Sequence, residues 1–160
     1  MTAVKKTDTP NFIAIYTRFS QLKEHISGLE AEIKRATEPE DLLSIPSFYR
    51  LMTGTELGTS KAAQKIAFFL PYASHLETAD KLGKQLADGN ISEMRLFQVL
   101  RSEEPNDLVQ LRRLIQQIKP SLNWQDFGKM LYYWNKEQKR RLLEDYFINS
   151  KTDTKKSSDK

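Results

Sequence analysis

The chain has 160 residues, 39% of them apolar and 29% charged, with a net charge of +4 and no cysteine. That size supports one domain, or two very small ones sharing a modest core, and the composition is polar for a globular protein but above that of chains too polar to fold. Without cysteine neither a disulfide framework nor a thiolate zinc site exists, and apolar runs such as IAFFL at 66–70 fall far short of the roughly 20 residues that cross a bilayer.

Residues 1–10, MTAVKKTDTP, lack the apolar stretch of a signal peptide and are expected to be a flexible N-terminus. The expected location is therefore the cytoplasm, with no membrane association. From 11 to 149 apolar residues recur at spacings of three and four, with no convincing strand. This predicts an all-α protein, a compact bundle of short helices, and leaves open a division into helical halves at about 11–88 and 89–149.

Phe12, Ile15, Tyr16, Phe19, Leu22 and Ile26 form the first stripe, closed by Gly28. TEPEDL offers Thr37 as a cap, a proline in the first turn and Glu40 three residues after the cap, so a short helix should begin there. SIPSFYRLM repeats the device with Pro46; Thr53–Ser60 reads as a loop; the next helix runs into Pro71, which should bend or end it. Further on, Asn90 with Glu93 reads as a capping box, Pro105 opens a helix that Pro120 closes, and Asn123 with Asp126 and Asn135 with Gln138 start two more. Helices this short are marginal alone and must pack through Phe97, Leu100, Leu111, Ile115, Ile118, Trp124, Phe127, Leu131, Trp134, Leu142, Tyr146 and Phe147. The basic tail at 150–160 has no apolar residue and is expected to be disordered.

Catalytic constellations are scarce. His25 and His75 fall in different predicted helices, without the carboxylates that would make either a metal site. GTELGTSK puts only three residues between Gly54 and Gly58 and places Thr-Ser before Lys61, so it is not a phosphate loop. The acids of EPED and SEEPND sit at helix starts, where they complement the helix dipole. The sequence therefore predicts no enzyme, no metal and no cofactor.

Charge is more informative. Residues 1–88 carry 11 basic and 11 acidic side chains, 89–149 carry 10 and 8, and 150–160 carry 4 and 2, so the positive excess lies in the second half. On a helix a cation is usually balanced by an acid three or four positions away. Lys34, Lys81, Lys84 and Arg141 have such partners; Arg50, Arg95, Arg112, Arg113, Lys136 and Lys139 have none, and Arg101 has only Glu104. On the helix containing VQLRRLI, Arg113 lies with Gln110 and Gln117 opposite the apolar stripe, whereas Arg112 flanks it and is better suited to packing or a neighbouring subunit. An exposed arginine among neutral amides suits phosphate and sugar contacts. The competing interpretation is that these cations meet acids on neighbouring helices or lie over apolar surface. Of the aromatics, Trp124, Phe127, Leu131 and Trp134 have core spacing, leaving Tyr132 or Tyr133 as weak stacking candidates.

Three blocks, RATEPEDLLSIPSFYRLM at 35–52, ISEMRLFQVLRSEEPNDLVQLRRLIQQIKPSLNW at 91–124 and MLYYWNKEQKRRLLEDYF at 130–147, resemble the CasB family, the small subunit of the type I-E CRISPR effector complex, Cascade. The resemblance spans about residues 12–148 and is weakest between Thr53 and Ala79. It implies an all-α, non-catalytic protein that packs with a second copy of itself among other Cascade subunits and guide RNA. Its basic surfaces would contact target DNA, notably the displaced single strand of the R-loop. It further implies contacts through Arg35, Arg50, Arg95, Arg101, Arg113 and Lys136. Glu137 stands where the family leads one to expect a basic residue, so the last helix would contribute less here, or would do so through Lys139 and Arg140 instead; Arg112 completes the candidate set. The alternative is a purely structural subunit whose basic face pairs with acidic surfaces of partner proteins.

Overall fold

The computed structural model describes the backbone of residues 9–158 and the side chains of residues 9–148. The fold is all-α. Its helices are α1 (Phe12–His25), α2 (Leu29–Lys34), α3 (Pro46–Met52), α4 (Lys61–Phe69), α5 (Leu82–Asp88), α6 (Glu93–Arg101), α7 (Asn106–Ile118), α8 (Trp124–Tyr132) and α9 (Lys136–Ser158), with 3-10 turns at Pro39–Ser44 and Leu70–Tyr72. Where the sequence showed no strand, two residues each of β1 (Ser74–His75) and β2 (Ser121–Leu122) pair in parallel. Two-residue segments are too short to carry an alternating pattern. Among the described residues no helix is long and apolar enough to cross a membrane.

The chain divides into two compact units. One holds the described residues up to Pro71 together with Trp124–Tyr132; the other holds Tyr72–Asn123 and the described residues from Tyr133. The division thus falls at 71/72 rather than 88/89, and α8 joins the first unit.

In the first unit α1 starts where the Asn11 side chain accepts from the Ala14 N–H at 2.9 Å. The turn at Pro39 is capped one residue later than its sequence suggests. Pro39 takes the first helical position, which makes Glu38 the cap, and the Asp41 carboxylate accepts from the N–H groups of Thr37 (2.9 Å) and Glu38 (3.2 Å) and from the Thr37 hydroxyl (2.8 Å). Asp41 rather than Glu40 therefore closes the motif. Pro46 opens α3, and the Ser60 hydroxyl accepts from the Ala63 N–H at 3.2 Å to open α4, which stops just before Pro71. The core is aromatic. Trp124 stacks on Tyr16 at 5.8 Å and meets Phe127 edge-on at 5.0 Å, and Phe127 in turn meets Phe69 at 5.5 Å. The Gln125 side chain accepts from the Phe12 N–H and donates to the Pro10 carbonyl, both at 2.9 Å. A helix distant in sequence is thereby returned to the start of α1.

In the second unit the expected Asn90–Glu93 capping box is replaced. Asn90 adopts a left-handed φ of 65° just after α5, and Ser92 is the cap of α6, its hydroxyl accepting from the Arg95 N–H at 3.2 Å. Asparagine tolerates that conformation better than most residues, which removes it from the capping position. Lys119, left-handed at φ 49°, ends α7 ahead of Pro120, and the Asn135 side chain caps α9 by accepting from the Gln138 N–H at 3.0 Å. The α9 helix continues to Ser158, into the stretch whose composition reads as a disordered tail. Of the expected flexible N-terminus, 1–8 lie outside the described residues, as do 159–160. Leu111, Ile115, Trp134, Leu142 and Tyr146 are buried as expected, whereas Phe97, Leu100, Ile118 and Phe147 are only partly so.

Helix α5 lies against α9 at Gly83. A Cβ there would sit 2.5 Å from the Leu142 carbonyl oxygen, 2.6 Å from the Asp145 Cβ and 2.7 Å from the Tyr146 nitrogen. Two of these three atoms belong to the backbone and cannot swing aside. Asp145 beside this contact has its pKa raised above the ordinary 3.8, chiefly by burial and also by Glu144, against the lowering pull of Lys81 and Arg141. Because the folded state then holds its proton more tightly than the unfolded one, stability contributed by this site falls as pH rises from 3.8 through the raised value.

Two outcomes follow for denaturation experiments. Gly83→Ala should lose about 2 kcal/mol despite the better helix propensity of alanine, since overpacking typically costs about 1–3 kcal/mol; unchanged stability would show that α5 and α9 do not approach this closely. Asp145→Asn should melt higher than the parent at neutral pH, the difference shrinking as the buffer is taken down toward pH 3.8; a difference independent of pH would contradict the raised pKa.

Candidate nucleic-acid interface

The candidate cations divide between the units. Arg35 and Arg50 belong to the first; Arg95, Arg101, Arg112, Arg113, Lys136, Lys139 and Arg140 belong to the second.

In the first unit Arg35 is exposed at the C-terminal cap of α2, and Arg50 is exposed in the last turn of α3. The backbone carrying Arg50 is fixed by a residue that the sequence pattern did not single out. The Arg18 guanidinium donates from Nε to the Leu51 carbonyl (2.6 Å) and from Nη2 to the Arg50 carbonyl (3.0 Å). The last carbonyls of a helix have no partner within it, and a cation there also complements the helix dipole. An arginine flanking the first apolar stripe, between Ile15 and Phe19, was the available hint.

In the second unit α6 and α7 run back alongside each other, because Arg95 near the start of α6 donates to the Gln117 side chain near the end of α7 at 2.6 Å. Leu108, Leu111, Leu114 and Ile115 are buried, which turns Arg113 and Gln117 outward as the wheel predicts. Among the described residues Arg113 has no ion pair or hydrogen bond to its side chain, and Arg101, also exposed, has only the Phe97 ring 5.2 Å from its Cζ. Neither meets a carboxylate. Arg112 is half-buried with its guanidinium 5.3 Å over the Tyr72 ring, matching the packing role expected from its place beside the stripe.

Lys139 departs from expectation. No acid lies within reach on its own helix, yet its Nζ sits 2.8 Å from the Asp107 carboxylate on α7, donates to the Ser102 carbonyl at 2.8 Å, and lies 5.7 Å over the Trp134 ring. Asp107 is only 1% exposed and also accepts from the Trp134 indole N–H (2.8 Å) and the Leu108 N–H (2.7 Å). An acid that reads as a complement to a helix dipole is thus a buried anchor, and Lys139 is engaged inside the protein. The signal was present: Asp107 falls four and seven positions before Leu111 and Leu114, on the apolar face itself.

Lys136 and Arg140 are exposed on α9, and Glu137 beside them is taken by Arg141 at 2.9 Å. The pairing expected for Lys84 is present, to Asp88 at 2.8 Å and Asp80 at 3.8 Å. Tyr133 is exposed, while Tyr132 packs 5.8 Å from Phe12. The exposed cations that α6 and α7 bring together are therefore Arg101 and Arg113, with Arg95 tethered to an amide; Lys136 and Arg140 stand on α9. Among the described residues, no group of three or more His, Cys, Asp or Glu side chains could hold a metal ion.

Removing Asp107 tests the buried anchor. Asp107→Ala strands a mostly buried ammonium and should cost about 3–5 kcal/mol, with a shifted Trp134 emission; Asp107→Asn keeps an acceptor for the indole and should cost less. Equal, small losses in both would mean that the cluster is not closed in solution.

Three comparisons bear on these observations. The family model for the CRISPR-associated protein Cse2 matches residues 30–147. The CRISPR system Cascade subunit CasB of Escherichia coli K12 is 34% identical over 157 residues, covering 89% of this chain and 96% of that protein. A chain in the crystal structure of E. coli Cascade bound to a PAM-containing double-stranded DNA target superposes with a TM-score of 0.82 at 31% identity, over 91% of this chain and 99% of that chain.

Proposed function

The chain belongs to the CRISPR-associated Cse2 family, and from that premise we propose that it is a non-catalytic small subunit of a Cascade complex that holds separated strands in the R-loop. In this reading its partners are other Cascade subunits and guide RNA, target DNA including the displaced single strand, and a second copy of itself. The relative of known role is a Cascade subunit, and the structural neighbour is a chain of Cascade bound to double-stranded DNA.

The observation that carries the reading is the pair of helices α6 and α7, which presents Arg95 on the Gln117 amide, Arg101 over the Phe97 ring and Arg113 exposed, none of the three paired with a carboxylate among the described residues. An arginine hydrogen-bonded to glutamine keeps its full charge for an anion. The energetic case is favourable because forming a guide–target heteroduplex nearly balances opening the DNA duplex, so modest contacts to the strands tip the exchange. Arg35, Arg50, Lys136 and Arg140 are exposed and are proposed as additional contacts; Lys139 and Arg112, held inside, act by fixing the scaffold.

The test is titration of labelled single-stranded DNA at several salt concentrations with the parent chain and with Arg95→Ala/Arg101→Ala/Arg113→Ala. If each residue neutralises one phosphate, the log–log salt slope should become shallower by about 2, at roughly 0.7 per contact. R-loop formation by the assembled complex should weaken while the circular dichroism stays unchanged. Equal binding by the two proteins would remove these arginines from the interface, and no binding by either would favour a subunit whose basic face meets acidic proteins.

A further inference from the structure

Phe97, whose spacing suggests a core residue, is only partly buried, and the exposed side of α6 next to it is not purely polar. Met94 is 73% exposed, and Met94, Phe97, Gln98 and Arg101 fall at helical spacing on adjacent turns. Together with Gln110 of α7 they line an open pocket of about 840 Å³. The Arg101 guanidinium lies 5.2 Å over the Phe97 ring. Arg101 itself is exposed.

Resting on the nucleic-acid reading above, we propose that this pocket seats one unpaired base of the bound strand, stacked on the Arg101–Phe97 pair and flanked by the Met94 thioether. The apolar surface offered is two side chains wide and set among an arginine and two glutamines. That suits a flat π system bearing polar edges better than the branched apolar side chains of a docked helix, which need a wider dry groove. Guanidinium planes and aromatic rings are the usual stacking partners of splayed bases, and methionine sulfur adds favourable contact at a ring edge. Gln98 and Gln110 can bond base edges without favouring one base, because an amide both donates and accepts.

The pocket also has a polarity. Glu93 belongs to its lining and lies eight residues from Arg101, about 12 Å along the helix. A phosphate is repelled at the Glu93 end and attracted at the Arg101 end. The sugar-phosphate backbone is therefore expected at the C-terminal end of α6, with the base pointing toward Met94.

The experiment compares a labelled single-stranded DNA with the same strand carrying abasic sites, which keeps every phosphate and removes the stacking faces. The full chain should bind the intact strand at least about fivefold more tightly, the lower end of what one stacked base contributes. Met94→Ala/Phe97→Leu should lose that preference while keeping the parent's salt slope; Met94→Ala alone, at an exposed position, should lose part of it without any question of folding. Equal binding of the two strands by the parent chain, or a preference that survives both variants, overturns the seat while leaving the phosphate contacts standing. Failure of the parent to bind either strand overturns the nucleic-acid reading and the seat with it. If the variants bind both strands like the parent but no longer enter the assembled complex, the pocket is a protein contact and the proposal is wrong.

Discussion

The second unit is organised around one buried carboxylate. Asp107 sits at the start of α7 and is reached from three directions, by its neighbour's backbone N–H, by the Trp134 indole and by the Lys139 ammonium. Burying a charge costs several kcal/mol unless it is paired and hydrogen-bonded. The attraction returned roughly offsets that cost, so the cluster adds little net stability. Its effect is on register. Lys139 also donates to the Ser102 carbonyl, which ties the end of α6 and the beginning of α7 to the first turns of α9. Any other seating of α9 leaves a buried charge unpaired, and the close approach of α5 to α9 at Gly83 requires the seating that is observed.

That register decides which cations face outward. With Asp107, Leu108, Leu111, Leu114 and Ile115 directed inward, rotation of about 100° per residue leaves Arg113 opposite the core and Arg112 at its edge. The edge position meets Tyr72 and becomes a packing contact. Two adjacent arginines of identical chemistry are separated into a structural and an exposed role by one step of helix rotation. The same logic applies on α6, where Leu96 and Val99 are buried and Arg101 lies on the far side.

The sequence made the helical class legible, because spacings of three and four recur wherever a helix packs, and it placed Arg113 on the exposed face and Arg112 at the edge of the apolar stripe because both follow from position on one helix. What it concealed depends on contacts between helices. Lys139 has no acid at three or four positions, but helix–helix packing supplies Asp107 from 32 positions away. Gln125 returns α8 to α1 through side-chain bonds to backbone groups that no periodicity encodes. Cap assignments slipped by one or two residues where two candidates competed, as at Thr37 against Glu38 and Asn90 against Ser92. In each case a local constraint, Pro39 at the first helical position or the left-handed Asn90, decided the matter.

The choice of partner for each arginine bears directly on function. A cation paired with a carboxylate must break an ion pair before it can meet a phosphate, and much of what it gains is returned. Arg95 is held instead by the Gln117 amide, which fixes its direction without neutralising it, and Arg101 is held by a ring face. For the strand contact proposed above, both arrangements would reduce the entropy lost on binding while leaving the charge available, which is how preorganisation raises affinity without adding a contact. Lys139 shows the opposite solution on the same unit: bonded to Asp107 and withdrawn from the surface, it serves the scaffold. Glutamine beside arginine is therefore the more informative pattern in this chain. It marks cations positioned yet not neutralised.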